Sequence, residues 1–192
     1  MQSKKEEKRA LRAIYKEKRA QIKKGQKELL DSMLCQRVTA LECFDRADII
    51  LTFSPSFLEP DIDPIAIEAL RRGKKVAYPI CDKATHTMTF RFVSSLDELC
   101  VGSYSIPEPP ATNTAYSAED NAICILPALT LSRDGTRLGY GGGYYDRFLE
   151  NFRGISIGIA YDDFICDSLP SEPFDKKASI IISERGIIIT DE

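Results

Sequence analysis

The sequence contains a single histidine, His86, and none of its six cysteines belongs to a Cys-x-x-Cys pair. Structural zinc sites are built from clusters of these residues, so the composition argues against a zinc protein. The cysteines are widely spaced, and an intracellular chain of 192 residues rarely depends on a disulfide framework. We therefore expect free thiols, most of them buried in apolar runs, and a surface-loop position for His86.

The sequence also lacks a long apolar run. No segment approaches the ~20 residues that a membrane-spanning helix needs, and the N-terminus is too charged to resemble a signal peptide. The hydrophobic fraction of 43% and the charged fraction of 29% are those of an ordinary globular protein. We expect one cytoplasmic domain spanning residues 1–192, with no membrane partner.

The net charge of −3 conceals a basic N-terminal arm, which we define as residues 1–27. This arm has a net charge of +8, so the rest of the chain carries −11. A basic arm on an acidic body can bind nucleic acid or attract an anionic small ligand, although most lysines in such arms are simply solvated. The acidic body and the lack of aromatic residues interleaved with the lysines argue against nucleic acid.

The hydrophobic pattern predicts an alternation of helices and strands. Two helices are expected before the first strand, at residues 4–23 and 26–41, with Gly25 interrupting the pattern between them. The later elements are expected, in chain order, as strand 48–53, helix 65–72, strand 75–78 broken by Pro79, strand 88–93, a helical turn at 95–99, an extended loop at 102–116, strand 122–126, a helix to about residue 151, strand 155–160, an irregular segment at 161–177, and strands 179–182 and 187–189.

The strand–helix–strand order of residues 48–78 is a βαβ crossover, and such crossovers join parallel strands. We therefore predict an α/β domain of three α/β/α layers. Its sheet is expected to be mixed but mainly parallel, with helices on both faces and the N-terminal helical pair as a lid or flank.

The most informative stretch is a glycine-rich segment, Gly139-Tyr-Gly-Gly-Gly143, between strand 122–126 and a helix. Bare backbone N–H groups and a helix N-terminus both attract anions, so this arrangement suits phosphate. The segment is not a Walker A loop, because no Gly-Lys-Ser/Thr follows. It is not a dinucleotide fingerprint either, which requires an acidic residue ~20 positions later at a strand end. A tight glycine turn without a ligand is the alternative.

The residues around the loop favour a ligand. Arg137 stands just before it, with a fixed positive charge and a fork geometry that suits phosphate oxygens. Asp146, in the first turn of the predicted helix, is placed to hold Mg²⁺ against phosphates. Tyr144 and Tyr145 offer flat, hydrogen-bonding surfaces for a ring system. An acidic residue at a helix start is also common without any ligand, so that interpretation stays open.

The segment Arg137-Leu-Gly-Tyr-Gly-Gly-Gly-Tyr-Tyr-Asp-Arg-Phe-Leu149, preceded by Leu126-Pro-Ala-Leu129, resembles the signature of the 5-formyltetrahydrofolate cyclo-ligases, also called 5,10-methenyltetrahydrofolate synthetases. The motif is long and specific, and the resemblance spans nearly the whole chain. Three further segments are similar to the family's N-terminal basic motif, folate-contacting turn and C-terminal segment, namely Lys8-Arg-Ala-Leu-Arg12, Ser56-Phe57 with Asp61-Ile-Asp63, and Leu169-Pro-Ser-Glu-Pro-Phe-Asp175.

The resemblance implies an enzyme that binds 5-formyltetrahydrofolate, ATP and Mg²⁺. The metal ligands would be Asp146 and Asp175, and the folate contacts Ser56, Phe57 and Asp61. Arg137 and Tyr144 are expected at the reacting groups. The ATP-binding residues would be Lys8, Arg9, Arg12, Arg137, Leu138, Gly139, Tyr140, Gly141, Gly142, Gly143, Tyr144 and Tyr145.

The chain departs from the family pattern at the folate-contacting turn. The family usually has Glu where Asp61 stands, and the connection from Phe57 is one residue longer here, so Glu59 is an alternative carboxylate. Asp61 can equally cap the helix predicted at 65–72. Some members carry a lysine in the glycine loop where this chain has Gly142. The positive charge at the phosphates must then come from Lys8, Arg9, Arg12 and Arg137.

The implied reaction converts 5-formyltetrahydrofolate to 5,10-methenyltetrahydrofolate and releases ADP and phosphate. A formamide oxygen is a poor leaving group, and phosphorylating it gives an iminophosphate that N10 can displace. This chemistry relies on positioning and charge neutralisation rather than on a covalent nucleophile. It suits a chain without a convincing Ser–His–Asp or Cys–His set. We expect the enzyme to act as a monomer.

Three other functions remain open on the sequence alone. A nucleotide-sensing domain would keep the loop without turnover, and the altered Asp61 region is its only support. An RNA-binding protein built on the basic arm would lose affinity steeply with salt. A sugar-phosphate isomerase on a similar scaffold would need a carboxylate or lysine base near the loop and no ATP.

Overall fold

The computed structural model describes residues 3–118 and 121–190. The α-helices of these residues are α1 (Lys4–Ala20), α2 (Lys24–Thr39), α3 (Glu42–Arg46), α4 (Asp63–Arg71) and α5 (Tyr144–Leu149). The strands are β1 (Ile49–Leu51), β2 (Lys75–Asp82), β3 (Thr87–Val93), β4 (Cys100–Val101), β5 (Pro107–Glu108), β6 (Ala122–Leu126), β7 (Thr130–Ser132), β8 (Arg137–Leu138), β9 (Ile155–Ile159), β10 (Ile165–Cys166), β11 (Ile180–Ile182) and β12 (Ile187–Ile189).

A seven-stranded sheet forms the centre of the fold, in the order β12-β11-β9-β6-β1-β2-β3. The five inner strands pair in parallel, and the two edge strands β12 and β3 pair antiparallel with their neighbours. The predicted mixed, mainly parallel sheet is confirmed. Two smaller sheets accompany it, β10-β7-β8 and the β4-β5 hairpin.

Both faces of the sheet are covered, which explains why the inner strands β1, β6 and β11 are apolar throughout. Successive residues of β1 point to opposite faces, as the two-residue period of a strand requires. Ile50 packs into the core that α2 and α4 cover, whereas Ile49 and Leu51 pack into the second core, against the Phe148 side of α5. The three-layer α/β/α prediction is therefore confirmed.

Two predicted interruptions are wrong. Gly25 lies inside α2, in its first turn, where backbone N–H groups have no intrahelical partner and a glycine disturbs little. Pro79 does not end β2, which continues to residue 82. On one side β1 pairs only with residues 75–77, so the missing N–H of Pro79 breaks no ladder there, while on the other side Pro79 stands opposite Phe90 of β3.

The sequence pattern missed several short elements, above all the β7–β8 hairpin and α3. Strands of two or three residues are too short to show alternation. The hairpin turn is held by Asp134, whose Oδ1 accepts hydrogen bonds from the Ser132 hydroxyl at 2.6 Å and the Thr136 N–H at 3.1 Å. This hairpin carries the chain from β6 to the glycine loop. The helix after the loop ends at Leu149, two residues earlier than predicted.

The cysteine prediction is only partly correct. All six cysteines are free, but only Cys35 and Cys124 are buried, and Cys100 is exposed on the short β4 strand. His86 is exposed in the turn between β2 and β3, as predicted. Among the described residues, no helix combines the length and apolar character required to cross a bilayer.

The buried side of α2 gives a test of the fold. Leu34 is fully buried and Leu29 is 62% exposed on the same helix. Leu34→Ala should lower the free energy of unfolding by about 2–5 kcal/mol, because it removes buried methyl groups and leaves a cavity. Leu29→Ala, the matched control, should change it by less than about 1 kcal/mol. Urea unfolding followed by circular dichroism measures both, and equal losses would contradict the position of α2.

Candidate active site

The loops that follow β1 and β6 meet at the carboxyl ends of the parallel strands, where α/β proteins usually bind ligands. A buried arginine of α1, Arg19, joins them. Its guanidinium donates hydrogen bonds to the carbonyls of Leu58 at 2.9 Å, Ala128 at 2.7 Å and Leu129 at 3.1 Å. A guanidinium can only donate hydrogen bonds, and burial leaves these carbonyls as its acceptors. The three hydrogen bonds therefore hold α1 across the end of the sheet.

The glycine loop lies beside α1. Arg12 Nε donates to the Gly139 carbonyl at 2.8 Å. Gly141 has a φ of +100°, and a Cβ there would lie 3.2 Å from the Arg12 guanidinium carbon. A Cβ on Gly142 would lie 2.6 Å from the ring of Tyr144. The loop therefore needs glycine at these positions, both to turn and to let Arg12 and Tyr144 lie against its backbone.

Two ion-pair groups border the loop. Lys8 Nζ lies 2.6 Å from Asp175 Oδ2 and 3.0 Å from Glu172 Oε2. Arg137 Nη2 lies 2.7 Å from Asp146 Oδ1. Burial acts to lower the pKa of Lys8, but its hydrogen bonds to Asp175 and Glu172 outweigh burial, so the pKa is raised and Lys8 stays protonated.

The two groups are close to each other. Asp146 Oδ1 also accepts a hydrogen bond from the backbone N–H of Lys176 at 3.2 Å, next to Asp175 in the chain. Residues far apart in the sequence, from α1, the start of α5 and the C-terminal segment, thus meet in one site.

Three buried polar atoms at this end of the sheet have no hydrogen-bond partner among the described residues: Arg137 Nε, the Tyr145 hydroxyl and Thr52 Oγ1. The Arg137 guanidinium lies over the Tyr145 ring, 5.5 Å from its centroid. Burial raises the pKa of Tyr145 well above its usual value, so its hydroxyl stays protonated and can donate. Buried donors are normally paired, so unpaired donors on two residues in contact indicate a place for a ligand's oxygen atoms.

The two tyrosines after the loop differ in position. Tyr145 points inward, whereas the Tyr144 hydroxyl meets the hydroxyl of Tyr104 at 2.8 Å, and Tyr104 is 54% exposed. The hydrogen bond to Tyr104 is the main cause that raises the pKa of Tyr144 to about 12. Arg147 holds the loop from outside by donating to the Gly142 carbonyl at 2.6 Å. Tyr144 and Tyr104 thus stand at the mouth of the site.

The turn after β1 places Glu59, rather than Asp61, at the glycine loop. Glu59 is buried, and its Oε2 accepts a hydrogen bond from the Ser56 N–H at 2.7 Å. Partial burial and then the charge of Glu59 raise the pKa of Tyr140, in the loop, to about 12. Asp61 is exposed, and its Oδ1 accepts from the Asp63 N–H at 3.2 Å, at the start of α4.

The structure brings most of the predicted site residues together. Lys8, Arg12, Arg137, Asp146 and Asp175 all lie at the glycine loop or in contact with one another. Lys8 and Arg12, four residues apart on α1, lie on the same face of the helix. Arg9 is exposed on the next face of the helix, and Phe57 is 82% exposed.

Sequence reasoning missed Arg19, Glu172 and Tyr104. Arg19 follows Arg12 by seven residues, so the same helical periodicity places it on the same face, and this signal was available. Glu172 lies within the C-terminal segment that carries Asp175. Tyr104 gives no sequence signal, because its left-handed backbone (φ 59°) and its distance of 40 residues from Tyr144 are set by the fold.

The carboxylates suit one mode of metal binding. No group of three or more His, Cys, Asp or Glu side chains arranged for a metal ion occurs in residues 3–118 and 121–190. Mg²⁺ commonly takes only one or two carboxylates and completes its shell with substrate phosphates and water. Asp146 and Asp175, beside a phosphate-type loop, match that mode, and an all-protein metal cage does not occur in these residues.

The fold and the site together define an α/β protein with a glycine-rich loop at the carboxyl ends of its strands, where cationic and acidic side chains converge. The chain belongs to the 5-formyltetrahydrofolate cyclo-ligase family, whose model matches residues 4–184. It is 24% identical over 189 residues to the 5-formyltetrahydrofolate cyclo-ligase of Mus musculus. The aligned region covers 92% of this chain and 93% of the mouse protein. The family resemblance seen in the sequence is confirmed.

Solved structures agree. The NMR structure of Aquifex aeolicus 5,10-methenyltetrahydrofolate synthetase superimposes with a TM-score of 0.85 at 25% identity, covering 96% of this chain and 93% of that one. The synthetase from Mycoplasma pneumoniae gives a TM-score of 0.74 at 24% identity, covering 92% and 98% of the two chains, and supports the same fold.

The three hydrogen bonds of Arg19 can be tested with a conservative change. Arg19→Lys keeps the charge but cannot reach three carbonyls from one planar group. We expect a loss of about 2–4 kcal/mol in the free energy of unfolding, because buried carbonyls lose their donors. Arg9→Lys, on the exposed face of the same helix, is the control and should change it by less than about 0.5 kcal/mol. Chemical denaturation measures both, and a stable Arg19→Lys variant would contradict the anchoring role.

Proposed function

We propose that this chain is an ATP-dependent 5-formyltetrahydrofolate cyclo-ligase. It converts 5-formyltetrahydrofolate to 5,10-methenyltetrahydrofolate and releases ADP and phosphate. The observation that carries the proposal is the convergence of two distant motif segments, the basic motif of α1 and the C-terminal segment ending at Asp175, on the glycine loop and the start of α5 that follows it. The proposed site uses no residue of a second copy, and we propose that the enzyme acts as a monomer.

The chemical problem is the formyl oxygen. It is a poor leaving group, so N10 cannot displace it directly. Transfer of the γ-phosphoryl group of ATP to that oxygen gives an iminophosphate. N10 then attacks the formyl carbon, loses its proton and closes the ring, and the oxygen departs as inorganic phosphate, which can take up that proton. No step requires a covalent bond to the protein, and catalysis consists of positioning and charge stabilisation.

The residues of the glycine loop supply the phosphate contacts in this proposal. Backbone N–H groups of residues 139–143 face the phosphates, and Arg12 holds the loop in place through the Gly139 carbonyl. Arg137 acts on the phosphoryl group in transfer, because its Nε donor is buried and unpaired and its guanidinium lies over the Tyr145 ring. Leu138 is buried in β8 and contributes backbone only. Arg9, which is exposed, adds to the local positive field.

Asp146 and Asp175 are the residues that would hold Mg²⁺. When bound there, the ion would offset the negative charge that gathers on the transferring phosphoryl group. Arg137 and the Lys176 N–H orient Asp146, and Lys8 orients Asp175.

The folate lies, in this proposal, between the turn after β1 and the mouth tyrosines. Glu59 is the carboxylate that contacts the pterin ring, because it is buried at the loop while Asp61 lies at the start of α4. Ser56 holds Glu59 through its N–H, and exposed Phe57 offers an apolar surface at the entrance. Tyr144 contacts the reacting groups from the opposite side of the mouth.

The methenyl product provides a direct test, since its conjugated ring absorbs light that the formyl substrate does not. Purified protein with 5-formyltetrahydrofolate, Mg²⁺ and ATP should develop this absorbance, and ATP binding without it would favour a nucleotide sensor. Arg137→Ala should lower kcat by about 10²-fold, because a preorganised charge on the transferring group is lost. Arg153→Ala removes an equal charge from an exposed position and should leave kcat within twofold.

Two isosteric substitutions distinguish between Glu59 and Asp61 as the carboxylate that contacts the pterin. Glu59→Gln should raise the KM for 5-formyltetrahydrofolate about tenfold or more and leave the KM for ATP nearly unchanged, because a charge-assisted hydrogen bond to the pterin is lost. Asp61→Asn should leave both KM values within about twofold. Steady-state kinetics with each substrate varied in turn measures these constants, and a larger effect at Asp61 would reverse the assignment.

A further inference from the structure

The carboxylates and cations at the glycine loop share a repeated arrangement. Asp175 Oδ2 accepts from Lys8 Nζ at 2.6 Å and from the backbone N–H of Glu172 at 2.7 Å. Asp146 Oδ1 accepts from Arg137 Nη2 at 2.7 Å and from the N–H of Lys176 at 3.2 Å. In each carboxylate, one oxygen is held by a cation and a backbone N–H. The second oxygen has no hydrogen-bond partner within the described part of the chain.

The cations are firmly placed. The side chain of Lys8 is 9% exposed and that of Arg137 is 5% exposed. Lys8 also has a second carboxylate partner, Glu172, at 3.0 Å. Neither cation is therefore free to swing into water when another positive charge approaches, and solvent screens their charge poorly.

From this arrangement we infer that Lys8 and Arg137 make the site select the metal–nucleotide complex over either component alone. The inference rests on the proposed function for the identity of the nucleotide and metal. A divalent cation that reaches the free oxygens of Asp175 and Asp146 without a nucleotide meets two fixed positive charges a few ångströms away. Free ATP meets the two carboxylates instead. The complex of both brings phosphates to the cations and the metal to the carboxylates.

Lys8 is thus a specificity-determining residue for metal-bound ATP, and Glu172 is its positioning residue. Glu172 keeps Lys8 beside Asp175 whether or not the metal is bound, because it holds the lysine through a separate carboxylate. In a Lys8 variant, Asp175 would keep its orientation through the Glu172 N–H. Removing the lysine therefore relieves repulsion of the metal without dismantling the carboxylate.

The first test measures metal binding without nucleotide. Mn²⁺, which substitutes for Mg²⁺ and is counted by electron paramagnetic resonance, is titrated into the full-length protein. Lys8→Met should bind Mn²⁺ at least fivefold more tightly than the wild type. Lys5→Met loses the same charge from an exposed position on α1 and should differ from the wild type by less than twofold. If Lys8→Met binds no more tightly than Lys5→Met, the inference is overturned.

The second test uses the opposite charge and does not depend on the folding of the lysine variant. Asp175→Asn should bind ATP at least fivefold more tightly than the wild type in excess EDTA, and Mn²⁺-ATP at least fivefold more weakly. Asp167→Asn, whose side chain is 98% exposed, is the matched control and should shift neither by more than twofold. If Asp175 had a purely structural role, Asp175→Asn would weaken the binding of both free ATP and Mn²⁺-ATP, and that result would overturn the inference.

Neither test contains folate or measures turnover, so its outcome is separate from that of the proposed reaction. If the methenyl product never forms while the crossed binding effects are found, the cyclisation proposal fails and the selection of metal-bound ATP stands. If the product forms but Asp175→Asn weakens the binding of free ATP and of Mn²⁺-ATP equally, the cyclisation proposal stands and the selection of metal-bound ATP fails.

Discussion

The hydrogen bonds of one buried arginine determine where the N-terminal helix lies. Arg19 is 3% exposed, and its guanidinium is satisfied by three carbonyls from the loops after β1 and β6. It also lies over the ring of Phe164, 5.0 Å from the centroid. A charge that cannot be neutralised must keep these partners, so α1 has one acceptable orientation. That orientation places Arg12 and Lys8, two and three helical turns earlier, at the glycine loop.

Local sequence patterns predicted the sheet and the loop well because both depend on short-range rules. The central strands β1 and β6 are apolar throughout, the glycine run precedes a helix, and Lys8 and Arg12 are four residues apart. Pro79 shows where such rules fail. A proline breaks a strand only if its N–H would face a partner, and that depends on β1 being three residues long. Only the assembled sheet contains this information.

The site likewise combines features that the sequence pattern predicts with features that only the folded chain determines. The loop residues were identifiable from spacing and the α1 residues from the family resemblance, but the partners of both were not. Glu172 and Tyr104 are joined to Lys8 and Tyr144 by contacts across 164 and 40 residues. The choice between Glu59 and Asp61 likewise depends on which carboxylate is buried beside the loop, and two residues in one polar turn look alike in sequence. The proposed roles of the site residues came from the family resemblance, whereas their contact partners could be identified only from the fold.

The contact between Lys8 and Asp175 joins positions 167 residues apart in the chain. The ribosome synthesises the chain from its N-terminus, so α1 emerges long before the segment that completes the ion pairs of Lys8. The sheet can begin to form around β1 and β6 during synthesis, yet the ion pairs of Lys8 form only when almost the entire chain is free. A nascent or prematurely terminated chain that ends before residue 172 would therefore lack both carboxylates that hold Lys8, whatever else of its structure had formed.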